Sequence, residues 1–379
     1  MKPYEKISKF GAFGARAAKL MLAAGGLLAM SGGFAFAQKA PDTGAVLAAF
    51  ADNTVLPTYA KMSDAAVKLD KLVGSMKSNP TDGKIAEAAD LWKQVRRAWE
   101  QSEAYLFGPA AFANLDPKLD SWPLDQLQLD KILKLADAGS LDVDAAYVRD
   151  YLGAALRGFH AVEYLLFRDG KPRSAKDITP GEMAYLSAAV RVVAEDSIAL
   201  QAWWAGTDAL GKEKAAYLEE AEIEVGNPYA KEIKNAGKAG SRYESQGEAI
   251  EEIIQGCVDI ADELAESKLG GPVKSGNPKE FESWYSFSSC EDCRNNVLSI
   301  RYSYEGVDSG ANSVSALVAA KSKETDAAVR SAIEKALKSF DAFSAPLSKS
   351  LSDKEKFKNV ISACSELSQS LQKAQEILK

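Results

Sequence analysis

The sequence predicts an all-α protein, and three observations carry that reading. Apolar residues recur at helical spacing through nearly every periodic stretch. No run alternates as a half-buried strand does, and no pair of strands flanks a hairpin turn. Asn, Pro and Gly clusters fall between the periodic stretches, where helices stop and start.

The elements follow in order. Met62, Ala66, Leu69, Val73 and Met76 recur at four, three, four and three, a stripe facing a bundle core. Pro57 lies early in that segment and predicts a kink or a late helix start. A second helix is expected from about 84 to 107, stopped by Gly108-Pro109. A third follows Trp122-Pro123, and a fourth covers about 144–167 before Asp169-Gly170 and Pro172. Thr179 and Pro180 suit the cap and first position of a fifth. From 206 to 244 the apolar period fades, which marks either a boundary or a helical excursion. Beyond it come Ile253, Ile254, Cys257, Ile260, Ala261 and Leu264, a break at Gly270-Gly271-Pro272, and a restart near Ser289. Two last helices carry Val329, Ile333, Leu337 and Phe340, then Phe357, Val360, Cys364, Leu367 and Leu371.

Residues 1–37 read as an export signal. Lys2, Lys6, Lys9, Arg16 and Lys19 precede an apolar stretch from Leu20 to Met30, and Ala35-Phe36-Ala37 fits a cleavage site before Gln38. No cysteine before Cys257 could take a lipid, and no later stretch reaches the roughly 18 apolar residues of a membrane span. The expected location is the periplasm or another compartment of the cell envelope. Cleavage removes those five basic residues and Glu5, a net +4, so the formal charge moves from -7 to -11. With Lys and Arg dispersed, nucleic acid is not expected as a partner. Roughly 340 remaining residues exceed one usual core, so two domains are expected, 38–205 and 206–379.

His160 is the sole histidine, in Arg157-Gly158-Phe159-His160-Ala161-Val162-Glu163. On a helix, residues i and i+3 share a face, so His160 and Glu163 can converge on a metal ion or a proton. Zinc proteases with H-E-x-x-H and two-histidine iron sites are excluded, since both need a second imidazole. The alternative is a core histidine hydrogen-bonded to Glu or Tyr. Trp92, Arg96, Trp99, Glu103 and Leu106 share one face of the second helix. That face holds either a buried Arg96 to Glu103 ion pair, or Glu103 as a further ligand beside His160 and Glu163, with Arg96 or Arg97 holding it or binding an anion. Cys257 and Cys364 lie on apolar stripes and are core residues or a disulfide. Cys290 and Cys293 form one C-x-x-C: a local disulfide, inert thiols, or a redox or metal-capturing pair.

Several separated blocks resemble the imelysin-like family of bacterial envelope proteins, also classed with metallopeptidases. Val55-Leu56-Pro57-Thr58-Tyr59 resembles its P-x-Y start, and 97–109 its R-x-x-W-x-x-x-E-x-x-x-x-G-P helix. Leu119-Asp120-Ser121-Trp122-Pro123 is similar to its I-D-x-W-P element, and Gly158, His160 and Glu163 to its G-x-H-x-x-E signature. Glu282-Ser283-Trp284-Tyr285-Ser286 with Asp292, Asn296 and Gly306 resembles its E-S-x-F-S block. Trp284, Phe287 and Cys290 depart from that block, where the family has Pro, an acid, and a polar residue or His. The resemblance implies two packed helical bundles with a site in the cleft between them. It also implies iron uptake, iron-regulated expression and envelope metal binding. The expectation is a binding protein for iron, another divalent metal or a metal-bearing ligand, working with other envelope iron-uptake proteins. Its metal ligands would be His160, Glu163 and Glu103, supported by Arg96, Arg97, Trp99, Asp120, Trp122, Glu282, Ser283 and Ser286. The alternatives are a metallopeptidase and a non-catalytic partner-docking module.

Overall fold

In the computed structural model, residues 41–308 and 310–379 are described, and within them the expected helices form an all-α body. The signal-peptide reading falls on residues outside that range. Among the described residues no helix is long and apolar enough to cross a membrane.

The first stripe forms the helix Leu56–Met76, entered through a π-helical run, Phe50–Val55. Pro57 sits in its first turn, where a missing N–H costs least. The second helix, Asp82–Glu100, is capped by Thr81 and ends seven residues before its expected stop. Ser102 explains this: its hydroxyl donates to the Trp99 carbonyl at 2.6 Å, competing with the next helical turn. The chain then tightens into a 3-10 turn, Glu103–Tyr105.

The expected helix over 144–167 is two helices, Ala145–Tyr151 and Gly158–Leu166, separated by extended residues and the turn Ala154–Leu156. Gly158 requires the break. Its φ is +73°, and a Cβ there would lie 2.3 Å from the Leu119 carbonyl oxygen. A tight hairpin pairs Phe167–Arg168 with Lys171–Pro172, contrary to the expectation of no hairpin. Asp169 and Gly170, read only as a helix stop, both have positive φ and form its two-residue turn.

Pro180–Ala205 begins with a complete capping box between Thr179 and Glu182 and is buried along most of its length. It packs against helices 56–76, 126–137 and 158–166. The polar stretch after it contains two short helices, Lys212–Glu220 and Tyr229–Lys234. In the second half, Gln246–Glu263 passes into a π-helical turn, Leu264–Lys268. Lys354–Leu378 packs on helix 246–263 and on Lys323–Phe340. Ser289–Glu305 packs on helices 246–263 and 82–100, and on the turn 103–105. The packing of 289–305 on helix 82–100 accompanies the direct approach of Glu282, at the start of the E-S-x-F-S block, to Arg96.

Gly158→Ala should lower unfolding free energy by more than about 2 kcal/mol, because it adds backbone strain to a carbonyl clash. Gly74→Ala, at an open position within helix 56–76, should raise it by up to about 1 kcal/mol. Urea unfolding of both variants checks the pair, and an unaffected Gly158→Ala would refute this account of the glycine.

Candidate functional site

Arg96 and Glu100 stand one turn apart on helix 82–100, both fully buried. Nη2 of Arg96 lies 2.5 Å from Glu100 Oε1 and 3.4 Å from Glu282 Oε2, Nη1 meets Asp120 Oδ1, and Nε is 3.7 Å from Asp292 Oδ2. One guanidinium therefore faces carboxylates from four chain segments. Asn296 donates to both the side chain and the carbonyl of Glu100. Ser283 donates to Asp292 Oδ2 at 2.5 Å.

His160 joins this network through Asp120. Its Nε2 lies 3.0 Å from Asp120 Oδ1 and its Nδ1 lies 3.0 Å from Glu163 Oε2. The approach of Gly158 to the Leu119 carbonyl sets helix 158–166 against the residue that follows, Asp120. Glu163 uses its other oxygen to accept from the Ser286 N–H at 2.8 Å and the Ser286 hydroxyl at 2.7 Å. Trp99 Nε1 donates to Asp120 Oδ2 at 2.6 Å. The Trp122 ring lies 4.6 Å from the imidazole, centre to centre, and its N–H donates to the Glu280 carbonyl at 3.2 Å.

A second buried cation lies beside the first. Lys268 Nζ is 3.0 Å from Glu282 Oε2 and 3.8 Å from both Glu103 and Glu263. Seven carboxylates, Glu100, Glu103, Asp120, Glu163, Glu263, Glu282 and Asp292, thus face Arg96, Lys268 and His160. The titration shifts reflect that surplus. Burial raises Glu100, Glu103 and Asp292 despite their cations. Asp120 goes the other way: burial would raise it, but Arg96 and His160 outweigh burial and hold it well below the carboxylate range. Burial opposes charge on His160 too, yet the close Asp120 carboxylate and the hydrogen bond to Glu163 raise it to about 9. At neutral pH the ring is therefore a cation with both nitrogens engaged.

Of the three expected metal ligands, the structure brings His160 and Glu163 together. It turns Glu103 toward Lys268, because the helix ends at Glu100 and Glu103 sits on the following 3-10 turn. The expected Arg96 to Glu103 pair is instead Arg96 to Glu100. Arg97 lies apart, half exposed and paired with Glu291. Trp99, Asp120, Trp122, Glu282, Ser283 and Ser286 all lie in the network. Sequence reasoning passed over Glu100, whose spacing of four from Arg96 was readable, and Lys268, which no pattern marked. All four cysteines are free thiols, with Cys257, Cys293 and Cys364 buried.

Glu100, Asp120 and Glu282 each offer an oxygen within 4.8 Å of the others. Glu100 Oε1 and Asp120 Oδ1 are buried without an aligned hydrogen bond, although Arg96 is close to both and His160 Nε2 is close to Asp120 Oδ1. Such oxygens suit a hard cation.

The sequence pattern of the Imelysin family, peptidase M75, matches residues 55–374. The chain belongs to the imelysin family. It is 27% identical over 264 residues to iron-regulated protein A of Synechococcus elongatus, covering 70% of this chain and 65% of that protein. The chain thus spans a little under two thirds of that relative's length. A crystal structure described as an iron-regulated protein A precursor from Parabacteroides distasonis superposes with a TM-score of 0.77 at 29% identity, covering 89% of this chain and 95% of that one. An imelysin-like protein from Psychrobacter arcticum shares the fold, with a TM-score of 0.62 at 13% identity over 87% of this chain and 95% of its own.

Arg96→Met would leave Glu100, Asp120 and Asp292 buried without their shared cation. The expected loss is about 3–5 kcal/mol in urea unfolding, and a loss under about 1 kcal/mol would show that the ion network does not hold the segments together. His160 titrates higher folded, at about 9, than its ordinary 6.5. Its contribution is therefore complete below pH 6.5 and disappears as pH rises through 9, a change of about 3 kcal/mol at roughly 1.4 kcal/mol per unit. The stability difference between wild type and His160→Gln, followed from pH 6 to 10, should narrow by about that amount.

Proposed function

We propose that this protein is an exported, iron-associated binding protein without peptidase activity, and that its buried carboxylates take up a hard metal cation. The convergence of Glu100, Asp120 and Glu282 within 4.8 Å carries the reading. Oxygen donors favour ions such as iron(III) or manganese(II) over soft ions. The surplus of carboxylates over fixed cations adds to this, because positive charge entering the site replaces protons that the acids would otherwise retain. The iron-regulated name carried by two relatives supports iron as the physiological ion. Residues 1–37 support export to the envelope.

In this reading Glu100, Asp120 and Glu282 are the ligands. His160 and Glu163 position them: His160 orients Asp120, and Glu163 ties the loop 283–286 to helix 158–166. Arg96 must yield part of its hold on the three carboxylates for them to act. The bound cation would supply charge that lets the acids deprotonate together. The peptidase reading is weaker on geometry, since His160 and Glu163 are both 0% exposed and a peptide bond cannot reach them in this arrangement. Catalytic zinc also takes three protein ligands, commonly with more than one imidazole or thiolate.

The test is the metal content of tag-free protein from Gln38 onward, equilibrated with iron(III) citrate, manganese(II), zinc(II) and copper(II). Iron or manganese should be retained near one equivalent and lost in a folded Asp120→Asn, Glu282→Gln variant. Retention should fall as pH drops from 7 to 5, since protons compete for the same oxygens. Equal retention by wild type and variant, or none by either, would sink the proposal.

A further inference from the structure

Lys268 is a lysine turned inward. Its side chain is only 7% exposed, an uncommon state for a residue that is costly to bury while charged. The backbone imposes this direction. Helix 246–263 widens into the π-helical turn 264–268, closed by the Leu269 N–H donating to the Leu264 carbonyl at 3.1 Å. Gly270 seals the turn, since a Cβ there would lie 2.4 Å from the Ala265 carbonyl oxygen. Single π turns inside α-helices are frequent at functional sites.

The ammonium meets three carboxylates unequally. It hydrogen-bonds Glu282 Oε2 at 3.0 Å, while Glu103 and Glu263 stand at 3.8 Å, beyond hydrogen-bond reach but within ion-pair range. Glu282 Oε2 is the same oxygen that faces Arg96 at 3.4 Å. The cluster is graded in exposure, from Glu100 at 0% through Glu282 at 21% to Glu263 at 47%. Lys268 therefore lies between the solvent-facing acids and the buried ones, holding the outermost of the three converging carboxylates.

We infer that Lys268 is the residue that sets affinity and charge selectivity at this site, acting as a tethered counter-cation that Glu282 must release before it can bind a metal. The inference rests on the cation-binding reading above. Glu103 and Glu263 provide the ammonium with seats once it leaves Glu282. Because the ammonium stays near the site, it opposes every incoming cation in proportion to that cation's charge. It therefore penalises trivalent ions more than divalent ones, and moderates what a cage of acidic side chains would otherwise hold too tightly to release.

The experiment titrates protein from Gln38 onward with terbium(III) and, separately, calcium(II). Terbium is read by luminescence sensitised through Trp99 and Trp122, and calcium by competition. Lys268→Met should bind terbium at least about tenfold more tightly, with a smaller gain for calcium, because the removed repulsion scales with charge. Lys268→Arg, which keeps the cation, should bind no more tightly than wild type. Lys268→Gln repeats the test if the methionine variant does not fold. Unchanged or weaker terbium binding in Lys268→Met, or equal gains for both ions, would overturn the role of Lys268 while leaving the cation site intact. No terbium binding by either wild type or Lys268→Met would overturn this inference and the cation-binding reading together.

Discussion

The Arg96 guanidinium is the contact on which the rest of the arrangement depends. It is 1% exposed and lies within ion-pair range of Glu100, Asp120, Glu282 and Asp292. A lysine could not do the same: its charge is a single point, whereas the planar guanidinium presents five donors in a fixed fork. Burial alone would favour a neutral side chain, and the carboxylates reverse that preference and hold Arg96 charged. The ion in turn fixes the segments, because each carboxylate is stable in the interior only while it faces the cation. Helix 82–100, the loop after Leu119, the loop at Glu282 and the start of helix 289–305 are thereby drawn to one point.

The G-x-H-x-x-E run works within that frame as an assembly device. Its glycine allows backbone to press against the Leu119 carbonyl, which a side chain would prevent. Its histidine then reaches Asp120, and its glutamate reaches His160 with one oxygen and Ser286 with the other. Three positions on two turns of helix thus connect loops some 40 residues before and more than 120 residues after them. The second carboxylate that faces His160, Asp120, is not within the motif at all.

This explains which features were legible in the sequence. Helices with a clean apolar stripe, such as 56–76 and 354–378, were read correctly because their packing faces are encoded at fixed spacing. The overlong helices at 84–107 and 144–167 share a different cause. In each, apolar residues continue past the point where a local polar contact or a backbone approach ends the helix: the Ser102 hydroxyl in one case, Gly158 against Leu119 in the other. His160 with Glu163 was legible because the pair is local. The placement of Asp120 beside His160, and of Glu282 beside Arg96, depends on tertiary packing, and only resemblance to a family named those residues. Lys268 carried no signal, since a lysine after an apolar stripe ordinarily marks a solvated helix end.

The imbalance of charge ties these parts to a single behaviour. Seven carboxylates gathered around three cations in a medium of low dielectric disfavour full ionisation, and burial shifts Glu100, Glu103 and Asp292 upward. His160, charged and held at both nitrogens, has no lone pair to offer as a base or a ligand while it keeps its proton. On the proposed cation-binding reading, the site exchanges positive charge rather than attacking a substrate. In that reading an entering cation would displace protons or the Arg96 and Lys268 cations, and Glu263 and Glu282, the more exposed carboxylates at 47% and 21%, would respond first. The imidazole faces the Asp120 and Glu163 carboxylates and the Trp122 ring, an arrangement that favours the binding proposal over one with a deprotonated base facing open space.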